Sequence, residues 1–199
     1  MSDTSPTTAP SARSDDRVWK VIAAVAGLLL AGFIAFVATR PHQAKPVSFP
    51  TARPTTLAVG STAPAFALPR LGGGAPVTLA DSPGTPSVVN FFASWCPNCQ
   101  AELGNFAALA KRTAGRVAVV GVDANDGSGS AAQALLTKVH AAYPVGLDPL
   151  AATATNYLVS ALPVTYFLDA RGRVVHVALG SQTTAALNHW TDVLTGSTP

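Results

Sequence analysis

The run Ser87-Val88-Val89-Asn90-Phe91-Phe92-Ala93-Ser94-Trp95-Cys96-Pro97-Asn98-Cys99 decides the fold. Residues Ser87–Ala93 are rich in β-branched and aromatic side chains and read as a buried strand. A helix follows at once, from Cys96 to about Thr113, with Leu103, Phe106, Ala107 and Ala110 on one face. Further along, Arg116–Asp123 reads as a second strand and Ser130–Ala142 as a second helix. Pro144–Leu147 is a short strand and Ala151–Leu158 a short helix. Val164–Asp169 and Arg173–Leu179 form a hairpin around Ala170-Arg171-Gly172, and Thr183–Leu194 is a closing helix. This order predicts an α/β three-layer sandwich with a mixed sheet.

Upstream of the strand the composition changes. Residues 1–20 are Ser/Thr/Pro/Asp-rich without an apolar period and predict a disordered tail. Val21–Thr39 is an uncharged apolar run whose helix would be ~28 Å long, close to the thickness of a bilayer core. The alternative is a cleaved signal peptide. The run is long for one, and no small-x-small site follows in Ala38-Thr39-Arg40-Pro41, so an uncleaved single-pass transmembrane anchor is favoured. Arg13, Arg17 and Lys20 precede the run, and Arg40, Lys45 and Arg53 follow it, so flanking charge does not orient it. Residues 40–56 are Pro-rich and predict an extended linker. The globular domain is expected over residues 57–199.

The formal net charge of +3 belongs to the leader, because Lys/Arg and Asp/Glu balance from residue 54 onward. The basic pI therefore does not mark a nucleic-acid surface. The chain has two cysteines, Cys96 and Cys99, and none remains for a structural disulfide framework.

Two thiols three positions apart at a helix start are close enough to form a disulfide. The helix N-terminus carries free N–H groups and partial positive charge, which stabilise a thiolate at the first cysteine. Cys96 is the expected nucleophile, and Cys99, one turn in, would resolve a mixed disulfide. Pro97 suits the first turn, where its missing N–H is no loss. A zinc half-site is the competing reading. There is no second cysteine pair, and His42, His140, His176 and His189 lack ligand spacing, so no metal is expected. A structural disulfide clip is the other alternative. The loop Asp123-Ala124-Asn125-Asp126-Gly127 has some look of a calcium loop but lacks the twelfth-position glutamate, and a turn before a helix is favoured.

Residues Val88–Cys99 resemble the strand and active-site segment of the thioredoxin superfamily, and are most similar to its membrane-anchored TlpA/ResA/CcmG-like branch of redoxin or AhpC/TSA-type domains. The resemblance covers about residues 57–195. It implies a catalytic pair Cys96 and Cys99, with Trp95 flanking them. It also implies that Pro163, in Leu162-Pro163-Val164-Thr165-Tyr166, is a cis-proline facing the disulfide. Trp95, Pro97, Leu162 and Pro163 are then the substrate-binding positions, with Leu162 backbone free to pair with a substrate chain.

Glu102 is the sole glutamate of the chain. By resemblance it lies near the cysteines and tunes their acid–base behaviour; the alternative is a solvated charge favoured near a helix N-terminus. Cytoplasmic thioredoxins carry a buried Asp where this chain has Asn90. Gly104 stands where the family has Pro, which puts the helix path after Leu103 in question. The resembling branch has an inserted strand–helix in this region, and residues 124–148 are long enough to be that insert.

The resemblance implies thiol–disulfide exchange with protein dithiols or disulfides outside the cytoplasmic membrane, and no cofactor. Reduction of apocytochrome c, with electrons from a membrane donor protein, is the favoured role. A disulfide-forming oxidant, a peroxiredoxin-like peroxidase and a non-catalytic scaffold are the alternatives. Against the peroxidase, Ala93 stands where such enzymes present Thr or Ser three residues before the cysteine.

Overall fold

The computed structural model describes residues 19–29, 55–79, 84–127 and 129–197. Two units are distinct, Met1–Thr51 and Ala52–Pro199. In the first, residues 19–29 are helical and exposed, with Trp19, Val21, Ile22, Val25, Leu28 and Leu29 open to solvent. Among the described residues no helix is long and apolar enough to cross a membrane. The expected span 21–39 is thus described only in its first half, and residues 30–39 lie outside the described residues, as do most of the expected tail and linker.

The second unit contains two sheets. A short antiparallel hairpin pairs β1 (Ala67–Leu68) with β2 (Val77–Thr78). The main sheet is built from β3 (Ser87–Phe92), β4 (Ala118–Ala124), β5 (Val145–Asp148), β6 (Val164–Leu168) and β7 (Val174–Leu179), in the order β5-β4-β3-β6-β7. β3 pairs parallel with β4 and antiparallel with β6, so the sheet is mixed. The helices are α1 (Pro97–Thr113), α2 (Gly129–Lys138), α3 (Ala152–Asn156) and α4 (Thr184–Thr195).

All six residues of β3 are buried, because the strand has a helical layer on each side. Period-two alternation sends Val88 and Phe92 to one face, where they meet Leu103, Phe106 and Leu109 of α1 and Leu187 of α4. Val89 and Phe91 go to the other face, packed with Tyr157, Tyr166 and Ala154. The expected three-layer sandwich is therefore present. The N-terminal segment covers the sheet edges: Leu71 N–H donates to Val145 O at β5, and Gly60 N–H donates to Val174 O at β7. At β5 this pairing occupies the edge at Val145–Leu147, and at β7 it occupies the Val174 end.

Element boundaries differ from the sequence expectation for local reasons. The second helix stops at Lys138 rather than Ala142, because His140 takes a left-handed φ of 53°. The hairpin β1–β2 was not expected; two-residue strands are too short to carry a period. α1 runs through Gly104 without interruption, and a Cβ there would meet open space. The proline kink of the resembling family is absent.

Candidate active site

Cys96 caps α1 rather than lying in its first turn. Its backbone is extended (φ −90°, ψ 110°), and the helix begins at Pro97. The Cys96 sulfur accepts a hydrogen bond from the Cys99 N–H at 3.2 Å, so one of the otherwise unpaired first-turn donors points at it. Cys96 and Cys99 form a disulfide with a Cα–Cα distance of 5.2 Å. Cys96 is 6% exposed and Cys99 fully buried, so only Cys96 can be approached from outside. Pro97 and Asn98 are exposed beside it.

The loop between β3 and α1 is tied on several sides. Ser94 N–H donates to Asp126 Oδ2 at 2.8 Å, and Gln100 Nε2 donates to Ser94 O at 2.6 Å. Trp95 is 57% exposed, with its indole N–H donating to Asn125 O at 3.1 Å. Trp95, Asn125, Val159 and Leu162 line one open groove at this site.

The peptide bond Leu162–Pro163 is cis, as the resemblance implied. Pro163 O accepts from Gly180 N–H at 2.9 Å, whereas no backbone hydrogen bond among the described residues engages Leu162.

Glu102 is 1% exposed, not a solvated charge. Its Oε1 accepts from Asn90 Nδ2 at 2.8 Å, and its Oε2 accepts from the Gln182 N–H at 2.7 Å. Asn90 also donates to Thr165 Oγ1 at 3.2 Å. Burial pushes the Glu102 carboxyl up to about 7, although both hydrogen bonds favour its charged form. Its charge reaches Tyr143, whose buried phenol is pushed up by burial first and by Glu102 second. A carboxyl that titrates near neutrality one turn from Cys99 is suited to proton exchange with a thiol.

The structure thus brings Cys96, Cys99, Glu102, Trp95, Pro97, Leu162 and Pro163 to one end of the sheet. Sequence reasoning missed Gln182, Thr165 and Asp126. Gln182 acts through its backbone, which leaves no signature in the residue type. Asp126 belongs to the turn after β4, where it holds Ser94. Among the described residues no group of three or more metal-ligating side chains occurs.

A disulfide at the N-terminus of a helix that follows the central strand of a mixed sheet, with a cis-proline directly before the neighbouring strand β6, defines the class: thiol–disulfide oxidoreductases of thioredoxin type. The chain belongs to the AhpC/TSA family, whose model matches residues 59–177. It is similar to the thiol:disulfide interchange protein HelX of Rhodobacter capsulatus, with 32% identity over 173 residues, covering 86% of this chain and 93% of HelX. A DsbE homologue of Paracoccus denitrificans is 33% identical over 129 residues, covering 64% of this chain and 69% of that protein. Among solved structures, a protein of Chlorobium tepidum described as thiol:disulfide interchange protein DsbE aligns with a TM-score of 0.65 and 28% identity. That alignment covers 71% of this chain and all of the other.

Proposed function

We propose that this oxidoreductase is a membrane-tethered reductant of extracytoplasmic protein disulfides, acting on apocytochrome c before haem attachment. The observation that carries the reading is the pairing of an approachable Cys96 with a buried Cys99 and a buried Glu102 behind it. The likeness to HelX supports it too. At 86% coverage that likeness extends upstream of the redox domain into the apolar run 21–39.

In the reduced protein the Cys96 thiolate attacks a substrate disulfide, and one substrate sulfur leaves as thiolate and takes a proton. Cys99 then loses its proton to Glu102 and attacks Cys96 Sγ. The second substrate thiol departs, and the Cys96–Cys99 disulfide forms. Two electrons pass to the substrate, and a membrane dithiol donor restores the pair. Leu162, which has no backbone partner among the described residues, pairs with the substrate chain beside Cys96. Trp95 and Pro97 flank the approach. A tether to the membrane raises the effective concentration of a membrane donor.

The reduction potential tests the direction of flow. A value near or below about −250 mV supports a reductant, and one near −120 mV sinks that reading in favour of a disulfide-forming oxidant. Cys99→Ala should trap partners on Cys96 as mixed disulfides, and apocytochrome c is the expected catch.

A further inference from the structure

The end of β4 and the turn after it contain two buried carboxyls that the exchange chemistry above does not use. Asp123, the penultimate residue of β4, is 1% exposed and pairs in register with Phe92 of β3. Neither Asp123 oxygen meets an N–H or hydroxyl donor. The group they face is the Asp126 carboxyl, and a hydrogen bond between two carboxyls exists only while one of them holds a proton. Asp126 in turn accepts the Ser94 N–H at 2.8 Å, and Asn125 between them accepts the Trp95 indole. The two residues before Cys96 are therefore anchored to this turn through their backbone and side chain.

We propose that Asp123 and Asp126 are positioning residues for Cys96: as an acid–carboxylate pair they hold the Ser94–Trp95 segment, and they release it when Asp123 ionises. The inference rests on Cys96 being the attacking thiol, as proposed above. Asp126 accepts the Ser94 N–H, whereas neither Asp123 oxygen accepts any donor, so the shared proton is placed on Asp123. Removing it leaves two like charges buried side by side, which cannot keep that geometry. Burial first, then the Asp126 charge, raises Asp123 to about 7, so the change falls near neutral pH.

The titratable groups on neighbouring elements are few. β3 and its loop to Cys96 contribute none. α1 contributes Cys99 and Glu102, with Cys96 at its cap and Lys111 and Arg112 in its last turn; α2 has Lys138 at its far end, the buried Tyr143 precedes β5, and β5 has Asp148, whose Oδ2 is engaged by the Ala154 N–H at 2.9 Å.

The test uses the oxidised full-length chain, in which the cysteines do not titrate. The emission of Trp95, taken as the difference from Trp95→Phe, should step once between about pH 6 and pH 8 as the indole moves relative to the disulfide. Asp123→Asn, which still donates to Asp126 but cannot ionise, should abolish the step. Asp126→Asn should shift it down toward the ordinary carboxylate range. Glu102→Gln should leave it in place. In the reduced protein, Cys96 alkylation by iodoacetamide should match between wild type and Asp123→Asn at pH 6, and be at least about threefold faster in the variant at pH 8.5. No step in the wild type, its survival unchanged in either Asp variant, its loss in Glu102→Gln, or an alkylation ratio independent of pH overturns the proposal. If Asp123→Asn does not fold, Asp126→Asn decides alone. The fluorescence step needs no substrate, so its failure is separable from failure of the proposed exchange.

Discussion

Asn90 Nδ2 donates to Glu102 Oε1 at 2.8 Å, joining the central strand β3 to the helix α1 one turn beyond Cys99. The amide stands where a cytoplasmic thioredoxin has its buried acid, and the carboxyl has moved to the helix. Neither residue touches solvent. The buried carboxyl one turn from Cys99 thus stands on the helix, and the strand supplies an amide donor to it.

The first consequence concerns thiol titration. Above about pH 7 Glu102 is anionic and opposes a second negative charge nearby. Glu102→Gln should lower the thiol pKa of the reduced pair by about one unit, read from thiolate absorbance against pH. An unchanged titration would leave Glu102 a structural residue only.

Stability should fall as pH rises. Glu102 and Asp123 both have folded-state values raised to about 7, from 4.5 and 3.8. Between those limits the folded protein binds more protons than the unfolded chain. Their stabilisation is therefore complete below about pH 4 and is lost as pH passes through about 7. Denaturant midpoints of the oxidised protein should decline from pH 5 to pH 8. The decline should flatten in Glu102→Gln and again in Asp123→Asn. Parallel curves for wild type and both variants would contradict this.

Asn90→Asp places a second carboxyl against Glu102 in a buried site. The pair would be forced to retain a proton, and the variant should lose about 1–3 kcal/mol at pH 8 and much less at pH 5. Chemical denaturation at the two pH values reads the difference, and equal losses would count against a charge clash.

Trp95 is a surface residue with one hydrogen bond, to Asn125 O. Trp95→Ala should change stability by about 0.5 kcal/mol or less, yet raise the apparent KM for a protein disulfide several-fold, because the groove wall beside Leu162 is lost. Insulin reduction with unaltered KM would remove Trp95 from the substrate surface.

Gly146→Ala tests packing away from the chemistry. An added Cβ would lie 2.7 Å from Leu68 Cβ, where β5 meets the N-terminal hairpin. The neighbouring atom is close to backbone and cannot swing away, so a loss of about 1–3 kcal/mol is expected. The reduction potential should not move.

Much of this was legible along the chain. The buried strand Ser87–Phe92, the helix carrying Cys99 and the hairpin β6–β7 announce themselves through local period and turn chemistry, and the cysteine spacing places a redox pair at a helix start. These are short-range properties, set by side-chain alternation and capping within a few residues. The hairpin β1–β2 was silent because two-residue strands hold no period.

The surroundings of the acidic groups came from packing across the fold. Along the chain Glu102 admits both a place near the cysteines and a solvated helix charge, and its partners Asn90 and Gln182 lie 12 and 80 residues away. Asp123 and Asp126 read as turn residues until the sheet sets them under the approach to Cys96. Desolvation depends on everything packed around a group, and no local pattern encodes that. Local pattern placed the redox pair, because spacing and capping act within a few residues; packing placed Glu102, Asp123 and Asp126 in buried surroundings, because burial is set by the whole fold.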